Sequence, residues 1–296
     1  KVKLNKNLEI LDLEKAEIKT FYKKKKNNDF TVEKKEKILI SGEIYDAQPL
    51  LKALYKTNNK KIFDKNFVSK ININFNKIFT GTEDTISDFN MMAKINKGSY
   101  EKLNLKGNFS ENEIIEMSIY KINENKKTFQ VVSDRARPFV KHFDFIEGFE
   151  GGKLVYESTI LKNSTNSNLQ IKNFKVSKVP ALAQLLSLAS LQGIADTLSG
   201  EGIRFESFEM KSNSKNNILN IEEAYASGPA ISILLDGYVE KEKIVSLSGT
   251  LVPARTINSI IASIPVVGEI LVGKKTGEGV FGVSFKMKGP PKDIKT

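Results

Sequence analysis

Apolar and polar residues alternate with a period of two through most of this 296-residue chain, and nothing else constrains its fold as tightly. Ile71, Ile73 and Phe75 are interleaved with Lys70, Asn72, Asn74 and Asn76. Leu103, Leu105 and Phe109 stand among Lys102, Asn104, Lys106 and Asn108. Ile231, Ile233, Leu235 and Val239 repeat the pattern around Asp236 and Tyr238, and Phe281, Val283, Phe285 and Met287 do so against Ser284, Lys286 and Lys288. Successive side chains of a strand point to opposite faces, so each run reads as a strand with one wet and one greasy face. Less regular runs near 8–13, 37–45, 84–95, 113–122, 152–162, 167–178, 203–211, 217–226 and 244–252 extend the series. The phase slips around Lys77 and around Lys172 and Asn173, as a bulge requires.

Short polar links join these runs. Asn96-Lys97-Gly98-Ser99, Ser110-Glu111-Asn112 and Glu240-Lys241-Glu242-Lys243 read as hairpin connections. A link this short forces antiparallel neighbours, because a parallel pair needs a crossover of a dozen residues or more. The expected architecture is mainly β with a minor helical part: a long antiparallel meander, interrupted by a few short helices. One helix is expected over 47–56, with Leu50, Leu51 and Leu54 on one side. A second opens at Ser133 or Asp134 as N-cap and carries Pro138, Phe139 and Val140. A third spans 180–198 and a fourth 256–271, where Pro265 and Gly268 interrupt it.

The third helix has Leu182, Leu185, Leu186, Leu188, Leu191 and Ile194 on nearly every side, and its polar residues gather into no wet face. Such a helix is buried in protein or in lipid. Asp196 and Glu269 would be costly in hydrocarbon, so neither late segment reads as a membrane span. The expectation is that Leu182, Leu185, Leu186 and Leu188 pack with Ile260, Ile261 and Ile264 of the fourth segment as a plug. The alternative is a partly exposed, membrane-contacting tip.

A sheet of a dozen or more strands needs something over its greasy face, since burying a leucine-sized side chain is worth about 1.5–3 kcal/mol. A two-layer sandwich, a closed barrel and an open curved sheet holding apolar ligand all satisfy the alternation. Composition removes most chemistry. There is no cysteine, and His142 is the single histidine, so thiol catalysis, zinc fingers and multi-histidine metal sites are excluded. No phosphate-cradling loop, dinucleotide fingerprint or nucleophile elbow is present, and no catalytic residue, metal site or cofactor is assigned.

The formal charge is +11, carried almost entirely by lysine; the arginines are only Arg135, Arg137, Arg204 and Arg255. Nucleic-acid readout favours arginine forks, so no nucleic-acid partner is expected. The densest run, Lys23, Lys24, Lys25 and Lys26, reads as a solvated loop between strands, with attraction to anionic headgroups as its functional alternative.

Glycine and proline punctuate the second half in an ordered series. Gly148-Phe149-Glu150-Gly151-Gly152 is followed by Gly200-Glu201-Gly202-Ile203-Arg204-Phe205 and Ala226-Ser227-Gly228-Pro229-Ala230. Then come Gly249-Thr250-Leu251-Val252-Pro253, Ile264-Pro265-Val266-Val267-Gly268 and Gly277-Glu278-Gly279-Val280-Phe281. In order and spacing over 128–289 this series resembles the C-terminal region of the AsmA-like envelope proteins, the YhdP- and TamB-related, bridge-like lipid transfer group. Ser41-Gly42-Glu43-Ile44-Tyr45-Asp46-Ala47 and the meander carry a weaker likeness over 38–127.

The resemblance implies a taco-like curved β-groove in a protein anchored in the inner membrane of Gram-negative cells, with its bulk in the periplasm. It implies movement of phospholipid between inner and outer membranes, with acyl chains and membrane surfaces as partners and no chemical step. On that reading 1–127 is a groove segment and 128–296 an AsmA-like C-terminal domain continuous with the same sheet, both part of a longer anchored chain. The groove lining would comprise Ile71, Ile73, Phe75, Leu103, Leu105, Phe109, Ile231, Ile233, Leu235, Phe281, Val283, Phe285 and Met287. The competing function is a structural β-scaffold that assists outer-membrane protein assembly without binding lipid.

Overall fold

In the computed structural model the alternating runs pair with their neighbours in sequence. The structure describes residues 2–4, 10–56, 63–140, 148–177, 179, 182–183, 186, 200–240, 243–253, 282–291 and 293–295, with backbone alone at 2–4, 10–12 and 53–56. β1 (Val2–Leu4) and β2 (Ile10–Leu13) form a two-stranded antiparallel ribbon. The chain is mainly β, and the remaining fifteen strands pair as one mostly antiparallel sheet. Its first members are β3 (Lys15–Tyr22), β4 (Lys25–Lys34), β5 (Ile38–Asp46), β6 (Ser69–Phe79) and β7 (Thr85–Asn96). Then follow β8 (Ser99–Ser110), β9 (Glu113–Asn123), β10 (Lys126–Ser133), β11 (Gly148–Leu161) and β12 (Thr165–Ser177). β13 (Ile203–Lys215), β14 (Ile218–Ser227), β15 (Ile231–Glu240), β16 (Ile244–Pro253) and β17 (Val283–Gly289) complete it, in strict sequence order.

One pair departs from the meander. β5 and β6 are parallel, with Ile71 opposite Ile38 and Ile73 opposite Ile40. Residues 47–68 make the crossover, beginning with helix α1 (Gln48–Lys56), close to the expected span. The second helix, α2 (Arg137–Val140), starts later than its expected cap. Its first turn closes on the carbonyl of Ala136, which accepts from the amides of Phe139 and Val140. The Ser133 hydroxyl instead donates to the Arg135 carbonyl, and the Asp134 carboxylate accepts from the amide of Ile114 on β9. Of the third helix, Leu182, Ala183 and Leu186 are helical; Leu186 is fully buried and Leu182 half-buried. Leu185 and Leu188 lie outside the described residues, as do Phe281 and the fourth segment with Ile260, Ile261 and Ile264.

Both expected phase slips are present. Phe75 and Ile78 are buried although three apart, and Asp88, across on β7, has φ +50°. Ile171 and Phe174 are likewise buried around Asn173, whose φ is +56°. Four strands go beyond the sequence reading: β1, β3, β4 and β10. β3 and β4 carry no fully buried side chain, so the alternation that betrays the others is faint there. Lys23 and Lys24 form the turn between them, while Lys25 and Lys26 begin β4.

The chain clusters into two compact units, Lys1–His142 with Leu154–Lys162, and Phe143–Lys153 with Asn163–Thr296.

Candidate functional site

In the first unit the registers line up whole rows of apolar side chains on one face. Ile40, Ile73, Met91, Leu105, Met117, Val131 and Tyr156 stand in one row across β5 to β11. Ile38, Ile71, Ala93, Leu103, Ile119 and Phe129 stand in the next. Lys102, Asn104 and Lys106 point to the other face, opposite Tyr120, Ser118 and Glu116. The sequence-predicted Ile71, Ile73, Leu103 and Leu105 therefore share a face.

Burial along this face is uneven. Toward one end, Ile71, Ala93, Ile95 and Leu103 form a buried cluster covered by Phe63, Phe67 and Tyr100, with the rings of Phe63 and Phe67 stacked at 5.0 Å. Toward the other, Phe75, Ile78, Ile86, Ile115 and Ala47 are buried beneath Leu51 of α1 and Phe139 of α2. Phe30, Tyr45 and Phe75 meet there with centroids 5.2–5.6 Å apart, and Phe109 joins the same cluster. Burial pushes the Tyr45 hydroxyl above its ordinary pKa, and the neighbouring Asp46 adds to this. Between the two ends, Ile73, Met91, Leu105 and Met117 are only half-buried.

An ionic clasp holds the second end, and sequence reasoning did not find it. Asp84, at the β6–β7 turn, has a side chain with no solvent exposure. Its carboxylate accepts from Arg137 Nε and Nη2 at 2.8 and 2.9 Å and from Arg135 Nη1 at 2.8 Å. Arg135 also pairs with Glu113 and lies over the Phe109 ring, while Arg137 reaches Glu83. Burial pushes the Asp84 carboxyl up. The hydrogen bonds from Arg137 and then Arg135 outweigh it, and the group sits below the usual carboxylate range. Hydrogen bonds from Arg135, then Ser110, hold Glu113 low as well. The one sequence clue was that two of the four arginines stand two positions apart.

The second unit repeats the row arrangement. Ile171, Phe208, Ala226, Ile233, Leu251 and Val283 stand opposite one another from β12 to β17, and Leu169, Met210, Ala224, Leu235, Gly249 and Phe285 form the adjacent row. Gly249 admits the Phe285 ring: a Cβ there would stand 2.8 Å from Phe285 Cζ and 2.3 Å from the Leu234 carbonyl oxygen. Ile231 is fully buried, Ile233 and Phe285 nearly so, and Leu235, Val283 and Met287 are half-buried. Phe149, Phe174 and Phe205 stack as a column at 5.3 Å spacing.

β15, β16 and β17 carry a shallow depression of about 410 Å³ lined by Asp236, Ser248, Thr250, Ser284 and Lys286 together with Leu234, Gly249 and Phe285. The Ser248 hydroxyl donates to Asp236 at 3.5 Å, and no imidazole stands among these lining residues to activate it. Among the described residues, no three His, Cys, Asp or Glu side chains are placed to hold a metal ion, and no helix is long and apolar enough to cross a membrane. Comparison of the chain with family models, with curated proteins and with solved structures yields no match.

Proposed function

We propose that the chain is a non-enzymatic lipid-holding segment of an envelope protein, passing phospholipid acyl chains along the apolar face of its sheet between inner and outer membranes. One observation carries this reading. Ile73, Met91, Leu105 and Met117 stay partly exposed between two buried clusters of one apolar face, although each packs against at least one of them. A sheet face that served only as a core would be covered along its whole width. Over the first unit's face, the described residues from outside the strands are those of α1 and α2, nine and four residues long, with Phe63 and Phe67, and they pack on the two ends. Acyl chains match the exposed middle in polarity and in their tolerance of an irregular lining, since apolar burial is non-directional.

The likeness to AsmA-like envelope proteins over 128–289 supplies the setting. An anchor in the inner membrane would belong to another part of a longer protein, and this chain would stand in the periplasm. Headgroups would stay at the wet margin while the tails occupy the rows. The competing scaffold, in which the sheet is sealed and assists outer-membrane protein assembly, makes the opposite prediction for bound lipid. Native mass spectrometry of the purified chain separates the two. Co-purifying phospholipid, lost when Leu105 and Met117 are changed to aspartate in a chain that still folds, is the expected result. A clean apo mass for the parent refutes the lipid reading.

A further inference from the structure

The tip of the β3–β4 hairpin combines three features that a solvated turn does not need. Phe21 and Tyr22 are 66% and 65% exposed, which places them among the most exposed large apolar side chains described. Four consecutive lysines follow them directly. The turn itself is made by Lys23 and Lys24 with φ of 48° and 64°, the left-handed conformation that favours glycine and asparagine. Two other hairpin turns with left-handed residues carry glycine or asparagine in at least one of the two positions: Lys97 with Gly98, and Asn216 with Asn217; the β3–β4 turn has lysine in both. A turn that keeps two lysines against its own backbone preference points to a use for the lysines.

The tip is also projected and stiffened. Register partners between β4 and β5 end at Asp29 and Ile44, with Asn27 and Asn28 still bonded to Asp46 and Lys26 reaching Glu43 at 3.8 Å, so residues 21–25 project beyond β5. Beneath the tip, the Asn28 amide donates to Thr20 at 2.8 Å, and Asn28 Oδ1 accepts from the amide of Asp46 at 2.9 Å. Lys26 is paired with Asp29 at 2.6 Å, but no carboxylate among the described residues lies within ion-pair distance of Lys23, Lys24 or Lys25. Lys23 rests over the Tyr22 ring at 5.5 Å. The aromatic cluster of Phe30, Tyr45 and Phe75, at one end of the first unit's apolar face, begins four residues along β4 from Lys26.

We propose that residues 21–26 dock onto an anionic bilayer surface, with the lysine ammoniums on the headgroups and the rings of Phe21 and Tyr22 at the headgroup–acyl boundary. Aromatic rings with a basic fringe are the composition that interfaces retain. A convex tip offers no groove for a nucleic-acid strand to follow, and stacking platforms for single strands come in series along such a groove. The inference deepens the proposed function and takes its membrane setting from it. Its readout is separate, because lipid carried on the sheet is weighed by native mass spectrometry whether or not the tip binds vesicles.

The chain contains no tryptophan, so Phe21→Trp makes a single-site reporter. With vesicles of phosphatidylglycerol mixed into phosphatidylcholine, its emission should shift to the blue, and with pure phosphatidylcholine it should not. The double variant Lys23→Asn/Lys24→Gly places the preferred turn residues at the same positions, so the hairpin is retained while two charges are removed. It should bind the anionic vesicles about fivefold more weakly for each lysine removed, and added salt should weaken the parent similarly. Unchanged vesicle affinity in the folded double variant overturns the proposal. So does an unshifted tryptophan on anionic vesicles, or displacement of the chain from them by single-stranded DNA at comparable affinity.

Discussion

Replacing Asp84 by asparagine keeps the side-chain shape and removes the charge on which the clasp depends. The wild-type carboxylate receives three hydrogen bonds from two guanidinium groups and a fourth from the Thr82 hydroxyl at 3.2 Å. An asparagine would turn a donor toward one of those guanidinium groups. Breaking a buried pair by removing one partner costs about 3–5 kcal/mol, because the surviving charge is left without compensation. Here the loss falls at the lower end. Arg135 retains Glu113, and Arg137 retains Glu83, whose side chain is 87% exposed and therefore returns at most about 1 kcal/mol. The expected destabilisation is about 3 kcal/mol, read from urea unfolding followed by circular dichroism. A cycle with Arg137→Gln should recover at least half of it as coupling energy between the two residues. A loss below about 1 kcal/mol, with no coupling, would mean that the clasp behaves as a surface ion pair and that the burial argument is wrong.

The same groups set an acid limit. Asp84 and Glu113 are held below their ordinary values in the folded chain, so their contribution is complete above the unfolded carboxylate pKa of about 4 and disappears as pH falls through the lower folded values. Stability should therefore fall below about pH 4, and less steeply in Asp84→Asn; equal acid sensitivity in both proteins would contradict this. Gly42→Ala should cost at least about 2 kcal/mol in urea unfolding, since its Cβ would lie 2.2 Å from the Asp29 carbonyl oxygen, at the irregularity between Asp29 and Phe30. Cysteine at Leu105 should react with a photocrosslinker carried on a lipid acyl chain, and cysteine at Lys106 should not; equal labelling would remove the two-faced sheet from the explanation.

Legibility in the sequence followed burial. β6, β8, β15 and β17 alternate apolar and polar residues because one face is packed or half-packed, and the period is written directly into Ile71, Leu103, Ile233 and Phe285. β3 and β4 carry no fully buried side chain; Phe30 packs at the edge of a cluster, but lysine and asparagine occupy both faces around it and the signal is faint. The bulged positions were visible as phase slips because burial resumes on the opposite parity after them. The clasp was hidden for another reason: Asp84 and Arg137 are 53 positions apart, and no local pattern relates a turn residue to a helix start at that distance. The parallel pairing of β5 and β6 was legible only as a connection too long for a hairpin.

Because every strand of the large sheet between its end strands β3 and β17 is bonded to the strand before it and the strand after it in sequence, its hydrogen bonding is nearly one-dimensional. In such an arrangement each strand is stabilised chiefly by two immediate neighbours, and structure spreads outward from wherever it first forms. Most loops to be closed are those of hairpins, which form within microseconds, so the sheet assembles without waiting for distant segments to meet. The crossover through residues 47–68 and the long connections over 134–147, 178–202 and 254–282 are the exceptions, and the slower closures. A pull applied across the strands would load these ladders in succession and peel the sheet one strand at a time. Resistance would rise where the crossover and the Asp84 clasp tie non-adjacent turns together.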